Sequence, residues 1–143
     1  NENERKTAIK EVRRILKPNG VLFANYINKK QTVFYFAKCG KPFNEEGIIA
    51  FENDEYEKLA DFDTFLSISY CTNPVDFEMF LSNNGLEPQR HISLDTIAYF
   101  MSEELEKLTE KEWLILLDYH YRTCESRTSL EMSSHGLVIA KKV

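Results

Sequence analysis

The pattern of apolar and polar positions near the start of the chain predicts a helix, a tight turn and a buried strand. Apolar side chains recur at helical spacing over residues 7–16, with charged side chains on the opposite face. Pro18 ends the helix, and Asn19 and Gly20 tolerate the left-handed backbone of a turn. Residues 21–24 are apolar without alternation, which is typical of a strand that helices cover on both faces. This pattern indicates an α/β fold.

Two later helices have clear start signals in the sequence. Asn73 can cap a helix whose first residue is Pro74, and an apolar stripe follows before the chain turns at Gly85. Thr109 and Glu112 are spaced as a capping box, so a long helix is predicted after them. The side chains expected to be buried on that long helix are Trp113, Leu114, Leu117 and Tyr121.

Strands and a loop are predicted around these helices. Residues 89–94 and 136–140 read as strands, and residues 127–134 read as a loop. Residues 29–38 are ambiguous, because the segment TVFYF has strand propensity while the apolar positions and flanking lysines also fit a helix. The sequence therefore predicts strands mixed with helices, as in an α/β protein.

The segment at the first predicted turn resembles a known family. Residues 16–22 read LKPNGVL, which resembles the RxLKPGGxL segment of class I S-adenosylmethionine-dependent methyltransferases. In that family the segment joins a helix to the fifth strand of a seven-stranded sheet. The family usually has glycine where this chain has Asn19, and both residues tolerate the turn.

The end of the chain carries a second resemblance to the same family. Cys124 and Glu125 are followed at residues 134–141 by SHGLVIAK. This is similar to the end of a bacterial subset of these methyltransferases, where a CE pair precedes an SxH motif, a hydrophobic strand and a lysine. Residues 84–88, NGLEP, resemble the family's run into its sixth strand. The three segments lie along the chain in the family's order.

The resemblance implies a specific α/β fold. The chain would supply the later strands and flanking helices of a Rossmann-like seven-stranded methyltransferase sheet, whose antiparallel last strand lies beside the fifth. Residues 1–143 would form a single domain, the carboxyl-terminal part of that fold, with residues 95–135 as a helical insertion between the last two strands. The resemblance also favours a helix over residues 29–38. Because the chain opens in a helix from the middle of the fold, we expect it to be a fragment.

Candidate substrate-binding residues follow from the implied sheet. Tyr26 and Asn28 would lie where one strand ends, Asp95 where another ends, and His135 where the antiparallel last strand begins. Ligands of open α/β sheets bind at this edge, so we expect these side chains to converge there. Tyr70 precedes a helix near the same edge. Each residue also has a structural interpretation: Tyr26 can pack at a strand end, Asp95 can cap a helix, and His135 can simply open a strand.

Composition and charge exclude several function classes. The 143 residues carry a net charge of −5, which argues against general binding to nucleic-acid phosphates. No apolar run approaches the roughly 20 residues of a membrane span. Three widely spaced cysteines predict reduced thiols in a cytoplasmic protein. The cysteines and histidines lack the close spacing of zinc ligands, so no metal site is predicted.

The resemblance implies S-adenosylmethionine-dependent methyl transfer to an unidentified small-molecule acceptor, with this chain supplying the substrate-side half. The family binds its cofactor, S-adenosyl-L-methionine, with a glycine-rich loop after the first strand and an acidic residue ending the second. Neither motif is present in this sequence. The cofactor motifs are therefore expected upstream, no cofactor-binding residue is predicted in this chain, and the catalytic residues stay unassigned.

Two other functions fit the same observations. The half-fold can act as a non-catalytic α/β binding or dimerisation module, or the chain can belong to another α/β enzyme that shares only the helix, turn and strand. Half of a sheet exposes an unpaired edge, which favours association. A homodimer, or pairing with the missing amino-terminal half, is the partner arrangement that we predict beside the small-molecule substrate.

Overall fold

The chain folds as helices around a mixed β-sheet in a computed structural model that describes residues 2–40, 44–55 and 70–143. The helices are Glu2–Ile15 (α1), Lys29–Lys38 (α2), Glu45–Glu52 (α3), Pro74–Asn83 (α4), Ser102–Leu105 (α5), Glu110–Thr123 (α6) and Arg127–Met132 (α7). The strands are Val21–Asn28 (β1), Cys71–Thr72 (β2), Leu86–Ser93 (β3) and His135–Lys142 (β4), and a 3₁₀ turn spans Ala98–Phe100. The predicted α/β class is confirmed.

Within the described part of the chain, the sheet has four strands in the order β2-β1-β4-β3. β1 and β2 are parallel, with Ile27 opposite Cys71. The last strand, β4, lies antiparallel between β1 and β3, with Tyr26 and Ser93 on either side of Gly136. The predicted antiparallel last strand beside the strand at residues 21–28 is therefore confirmed.

The turn between α1 and β1 forms as its residue types predict. Asn19 has a φ of 63°, which is the left-handed conformation that asparagine tolerates. The amide of Gly20 donates to the carbonyl of Lys17 at 2.8 Å, which closes the turn. Lys142, at the end of β4, donates its ammonium to the carbonyls of Arg13 and Leu16 at 2.6 and 2.7 Å. A cation at this helix end satisfies orphan carbonyls and ties the two ends of the described chain together.

One face of the sheet carries the main core. α1 and α4 pack on this face against side chains of β1, β3 and β4. The buried members of this core are Ile9, Tyr26, Leu81, Leu86, Val138 and Ala140. A second cluster lies where α2 and α3 meet the end of β1 and β2, with Phe36, Ala50, Phe51 and Cys71 as its buried members. Full burial of a leucine or phenylalanine contributes about 1.5–3 kcal/mol, so these clusters hold the helices on the sheet.

The opposite face of β1 is largely open, and the predicted burial of this strand on both faces is wrong. Phe23 is 65% exposed and Val21 is 48% exposed. The helices of the main core lie on the other face, and the second cluster reaches β1 only near Ile27. The apolar run at residues 21–24 therefore includes side chains that the described residues leave uncovered.

The connection between β3 and β4 is helical, but its longest helix is exposed. The capping box of Thr109 and Glu112 forms as predicted. The predicted burial along α6 is wrong, because Trp113, Leu114 and Tyr121 are 43%, 57% and 69% exposed, and no residue of α6 is buried. Its apolar side chains lie all round the helix, a pattern that predicts burial. The described part of the chain covers these side chains only in part.

Local capping explains several of the other helix starts. The side chain of Asn73 accepts from the amide of Asp76, and Pro74 is the first helical residue, as predicted. The ambiguous segment at residues 29–38 is the helix α2. The predicted loop at residues 127–134 is wrong, because Ser126 caps the short helix α7 by accepting from the amide of Ser129. No helix in the described ranges is long and apolar enough to cross a membrane.

Candidate functional site

A carboxylate–histidine pair lies where β3 ends and β4 begins. The amide of Leu94 donates to the carbonyl of His135 at 3.0 Å, so the two chain segments are held side by side. Across this junction, Nδ1 of His135 lies 2.7 Å from Oδ2 of Asp95. These two candidate residues are 40 positions apart in sequence, and antiparallel pairing of β3 with β4 brings them together. The predicted convergence is confirmed for this pair.

The carboxylate of Asp95 is fixed by three further donors. Its Oδ1 lies 2.5 Å from the hydroxyl of Ser133, 2.8 Å from the amide of Ser134 and 3.3 Å from the amide of His135. Charged acceptors form the stronger class of hydrogen bonds, so this set of donors limits rotation of the carboxylate. The predicted role of Asp95 as a helix cap is wrong, because its side chain holds the start of β4 instead.

The contact with Asp95 engages Nδ1 of His135 and leaves Nε2 as the other ring nitrogen. A carboxylate beside Nδ1 assigns the proton of a neutral ring to that nitrogen, since the carboxylate can only accept. Nε2 then carries a lone pair. The side chain is 36% exposed, and among the described residues Nε2 has no hydrogen-bond partner. The arrangement presents a proton acceptor to solvent or to a bound molecule.

Aromatic side chains flank the pair. The ring of Tyr99 lies edge-on to the ring of His135 with centroids 5.7 Å apart, and it also contacts Tyr35 at 5.6 Å. A hydrogen bond with Cys39 and the neighbouring Tyr99 hydroxyl raise the pKa of Tyr35 to about 12. Lys38 donates to the carbonyl of Tyr99 at 3.2 Å. The rings of Tyr99 and Tyr35 therefore form aromatic surface next to the His135 ring.

Tyr26 occupies the main core rather than the junction of Asp95 and His135. Its hydroxyl lies 2.9 Å from Nε2 of His91, whose Nδ1 lies 2.6 Å from Oε1 of Glu78. Burial, reinforced by the carboxylates of Glu131 and Glu78, raises the pKa of Tyr26 above its ordinary value. The hydroxyl is neutral and already engaged, so the described geometry gives Tyr26 a structural role. His91 is itself buried.

The hydroxyl of Tyr26 has a predictable effect on stability. We expect Tyr26→Phe to lower the free energy of unfolding by about 1–2 kcal/mol at neutral pH, because it leaves buried His91 without its partner. The raised pKa means that the folded state keeps Tyr26 neutral while the unfolded chain ionises it above about pH 10. The difference between wild type and variant should therefore shrink as the pH rises past that value. Urea unfolding at several pH values measures this.

The control for that prediction is Tyr121→Phe, because Tyr121 is the most exposed tyrosine of α6. This variant should unfold at the wild-type urea concentration at every pH. A Tyr26→Phe protein as stable as the wild type at neutral pH would show that the bond to His91 contributes nothing.

Asn28 lies at the carboxyl end of β1 and fixes the neighbouring helices. Its amide nitrogen donates to the carbonyls of Leu130 and Glu131 at 3.2 and 3.3 Å. Its side-chain oxygen accepts from the amide of Lys30 at 3.1 Å and so caps α2. Because both side-chain groups are used and the residue is buried, the described geometry supports a structural role.

Tyr70 immediately precedes β2 and packs against the second core cluster. The guanidinium carbon of Arg5 lies 3.3 Å from the centroid of its ring, a cation–π contact between α1 and this segment. Of the five candidate residues, Asp95 and His135 are therefore the pair whose side chains the described structure joins. The pairing of β3 with β4 brings them together, because Asp95 follows the end of β3 and His135 is the first residue of β4.

The three cysteines differ in exposure, which makes their reactivity predictable. Cys39 is exposed, whereas Cys71 and Cys124 are buried. Burial also raises the pKa of the Cys71 thiol, which disfavours the reactive thiolate. We expect one thiol to react rapidly with an aromatic disulfide reagent and two to react slowly, with the fast phase absent in Cys39→Ser. All three should react rapidly in denaturant, and a second fast thiol in the native protein would contradict the described burial.

Comparison with protein families and with curated proteins assigns the chain to no family. No family model matches the chain, and no curated protein is significantly similar to it. In the described ranges, no group of three histidine, cysteine or acidic side chains is arranged to hold a metal ion. Asp95, His135 and their neighbours are therefore the described groups whose geometry suits chemistry.

Proposed function

We propose that this chain is the carboxyl-terminal part of a class I S-adenosylmethionine-dependent methyltransferase. The observation that supports the proposal most is the position of β4, which lies antiparallel between β1 and β3. The LKPNGVL and SHGLVIAK segments imply this placement, because the family's antiparallel last strand lies beside the fifth. Two segments at opposite ends of the chain thus meet in one strand pair.

The proposed acceptor site lies at the carboxyl end of β1. Ligands of open α/β sheets bind outside the carboxyl ends of the parallel strands. Ile27, near the end of β1, is paired with His135, so the start of β4 lies at this edge. The Asp95–His135 pair and the ring of Tyr99 are the features of the described edge that suit a small molecule, because they combine a polar group with apolar surface.

The cofactor would supply an electrophilic methyl group, and the described residues fit the acceptor better than the cofactor. The carboxylate of Asp95 is hydrogen-bonded to Ser133, Ser134 and His135. The side-chain nitrogen of Asn28 donates to a backbone carbonyl, and its side-chain oxygen accepts from a backbone amide. Neither side chain is left to bind the ribose hydroxyls of S-adenosylmethionine. We therefore assign the cofactor contacts to residues outside this sequence, and the three thiols suit a reducing, cytoplasmic setting.

A second candidate function is a non-catalytic binding or dimerisation module. The observation in its favour is the exposed apolar surface of α6 and of β1, which includes Leu114, Ile115 and Phe23. Clusters of large exposed apolar side chains, such as those along α6, are typical of interaction sites in folded proteins. The module needs no S-adenosylmethionine, so cofactor binding separates the two functions.

Calorimetric titration tests the proposed function. S-adenosylmethionine and its demethylated product are titrated into the 143-residue chain and into the natural gene product that contains it. We expect both compounds to bind the natural gene product and neither to bind the 143-residue chain. Tight binding to the shorter chain would contradict the acceptor-side assignment, because it would locate the cofactor within these residues. Binding to neither protein would contradict methyl transfer and favour the module.

A further inference from the structure

We propose that His135 removes the proton from a hydroxyl group of the methyl acceptor, with Asp95 as the residue that positions its ring. This inference deepens the proposed function and rests on it. The acceptor class that follows is a small molecule with an un-ionised hydroxyl and an aromatic or other flat apolar portion. Three features support this role: the fixed carboxylate of Asp95, the unbonded Nε2 of His135 and the neighbouring aromatic rings.

The carboxylate is positioned before any ligand binds. Oδ1 of Asp95 is held by Ser133 and by the amides that open β4, which leaves Oδ2 directed to His135. A histidine whose Nδ1 is bonded to a fixed carboxylate keeps one ring orientation and one tautomer. The carboxylate also stabilises the imidazolium that forms when Nε2 takes a proton.

A second carboxylate–histidine pair in the same chain shows what distinguishes His135. Glu78 lies 2.6 Å from Nδ1 of His91, a distance close to that of the Asp95 pair. Nε2 of His91, however, lies 2.9 Å from the hydroxyl of Tyr26 inside the core. His91 therefore cannot receive a proton from a ligand. The side chain of His135 is partly exposed, and its Nε2 has no hydrogen-bond partner within the described ranges, so His135 can receive one.

The aromatic border indicates the kind of acceptor. The ring of Tyr99 lies beside His135, and Tyr35 continues the same surface. Neutral aromatic rings offer apolar contact to a flat ligand without competing for its proton. A tyrosine hydroxyl is neutral across the physiological range at its ordinary pKa, and the hydrogen bond with Cys39 raises the pKa of Tyr35 further.

Transfer of the acceptor proton to His135 accompanies transfer of the methyl group. The O–H bond of the acceptor breaks, its proton moves to Nε2 of His135, and the electron pair left on oxygen forms the bond to the methyl carbon. The electron pair of the broken carbon–sulfur bond stays on the sulfur of the donor, and His135 later returns the proton to water. Acceptors that are already ionised need no such base. Positioned general bases contribute about 10²- to 10⁴-fold to rate.

The first test measures the availability of Nε2 without any turnover. The natural gene product is treated with diethyl pyrocarbonate, which acylates unprotonated imidazole nitrogens, and the rate at each histidine is read by mass spectrometry of peptides. We expect His135 to react at least about tenfold faster than His91, whose Nε2 is occupied. Asp95→Asn should lower the acylation rate of His135 by about tenfold, and Asp95→Glu should restore part of that rate.

His120 on α6 is the internal control, because it is not bonded to a carboxylate in the described structure. Its acylation rate should be the same in all variants, which shows that they are folded alike. Equal rates at His135 and His91 in the wild type would overturn the proposal. An unchanged rate at His135 in a folded Asp95→Asn protein would overturn the role of Asp95.

The second test addresses the acceptor class. Methyl transfer from S-adenosylmethionine by the natural gene product is measured with two acceptors. Phenol is used at neutral pH, and 4-nitrophenol is used at a mildly alkaline pH where it is ionised. We expect His135→Gln to slow methylation of phenol about 10²- to 10⁴-fold and to leave methylation of 4-nitrophenolate nearly unchanged. His120→Gln should change neither rate.

The outcomes separate this inference from the proposed function. Equal losses with both phenols would overturn the role of His135 as a base. No methylation of either phenol, in a protein that binds the cofactor, would overturn the hydroxyl class of acceptor. A protein that binds no cofactor contradicts the proposed methyl transfer, and with it the acceptor step, while the acylation rates still decide whether Asp95 presents Nε2 as described.

Discussion

Replacing Gly136 by alanine is expected to destabilise the protein by about 3 kcal/mol. Gly136 lies in β4 directly opposite Tyr26 in β1. A Cβ added at Gly136 would lie 2.3 Å from two ring carbons of Tyr26, well inside van der Waals contact. The ring cannot swing away freely, because Phe77 packs against it with centroids 4.9 Å apart and His91 binds its hydroxyl. The new methyl group must therefore displace either the ring or the strand.

A double-mutant cycle checks the cause of this effect. Tyr26→Leu removes the ring and keeps an apolar side chain in the core. In that background Gly136→Ala should cost less than about 1 kcal/mol, so the two changes should be strongly non-additive. Urea unfolding of the four proteins gives the coupling energy. Additive losses would show that the destabilisation arises elsewhere than at the contact with Tyr26.

Replacing Asn28 by aspartate is expected to have a similarly large effect, about 3–5 kcal/mol. The side chain is only 1% exposed, and its nitrogen donates to the carbonyls of Leu130 and Glu131. A carboxylate of the same shape cannot donate, so it would face two carbonyl oxygens as a buried charge. Protonation relieves the charge, and the loss of stability should therefore be smaller at acidic pH than at neutral pH.

The matched control is Asn25→Asp on the same strand. Asn25 is exposed, so the same chemical change there should alter the free energy of unfolding by at most about 0.5 kcal/mol. Both variants are compared by urea unfolding at acidic and neutral pH. If Asn28→Asp unfolds at the urea concentration of Asn25→Asp, the bonds of Asn28 to α7 do not hold this helix on the sheet.

Local signals in the sequence predicted the parts of the fold that depend on single residues. Pro18, Asn19 and Gly20 mark the turn into β1, and Thr109 with Glu112 marks the start of α6. These signals work because capping and turn geometry depend on neighbours in sequence. α7 was missed, since Ser126 is a single weak signal followed by polar residues.

Burial was predicted less well, because it depends on what packs across an element. The apolar run at residues 21–24 correctly predicts a strand, but Phe23 lies on a face that the described residues leave open. Trp113 and Leu114 are exposed on α6 for the same reason. Periodicity reports which side chains could be buried, and only tertiary packing decides which ones are.

The candidate site was predictable only in part. Asp95 and His135 were placed together by the inferred order of strands rather than by a motif, and the structure joins them at 2.7 Å. The contacts of Ser133 with Asp95 and of Tyr99 with His135 could not be predicted. They depend on how the β3–β4 connection folds against β4, and no local sequence signal indicates that. The bond from Tyr26 to His91 spans 65 positions and depends on the same sheet order.

Transfer of a labelled methyl group to a small molecule measures the proposed activity directly. The natural gene product is incubated with S-adenosylmethionine that carries an isotope-labelled methyl group and with a pool of small metabolites, and products are identified by mass spectrometry. We expect the demethylated cofactor to accumulate only when the pool is present, and the label to appear as a methyl ether. His135→Gln should abolish most of this product while His120→Gln should not. Absence of any labelled metabolite, with no demethylated cofactor formed, would contradict the proposed function.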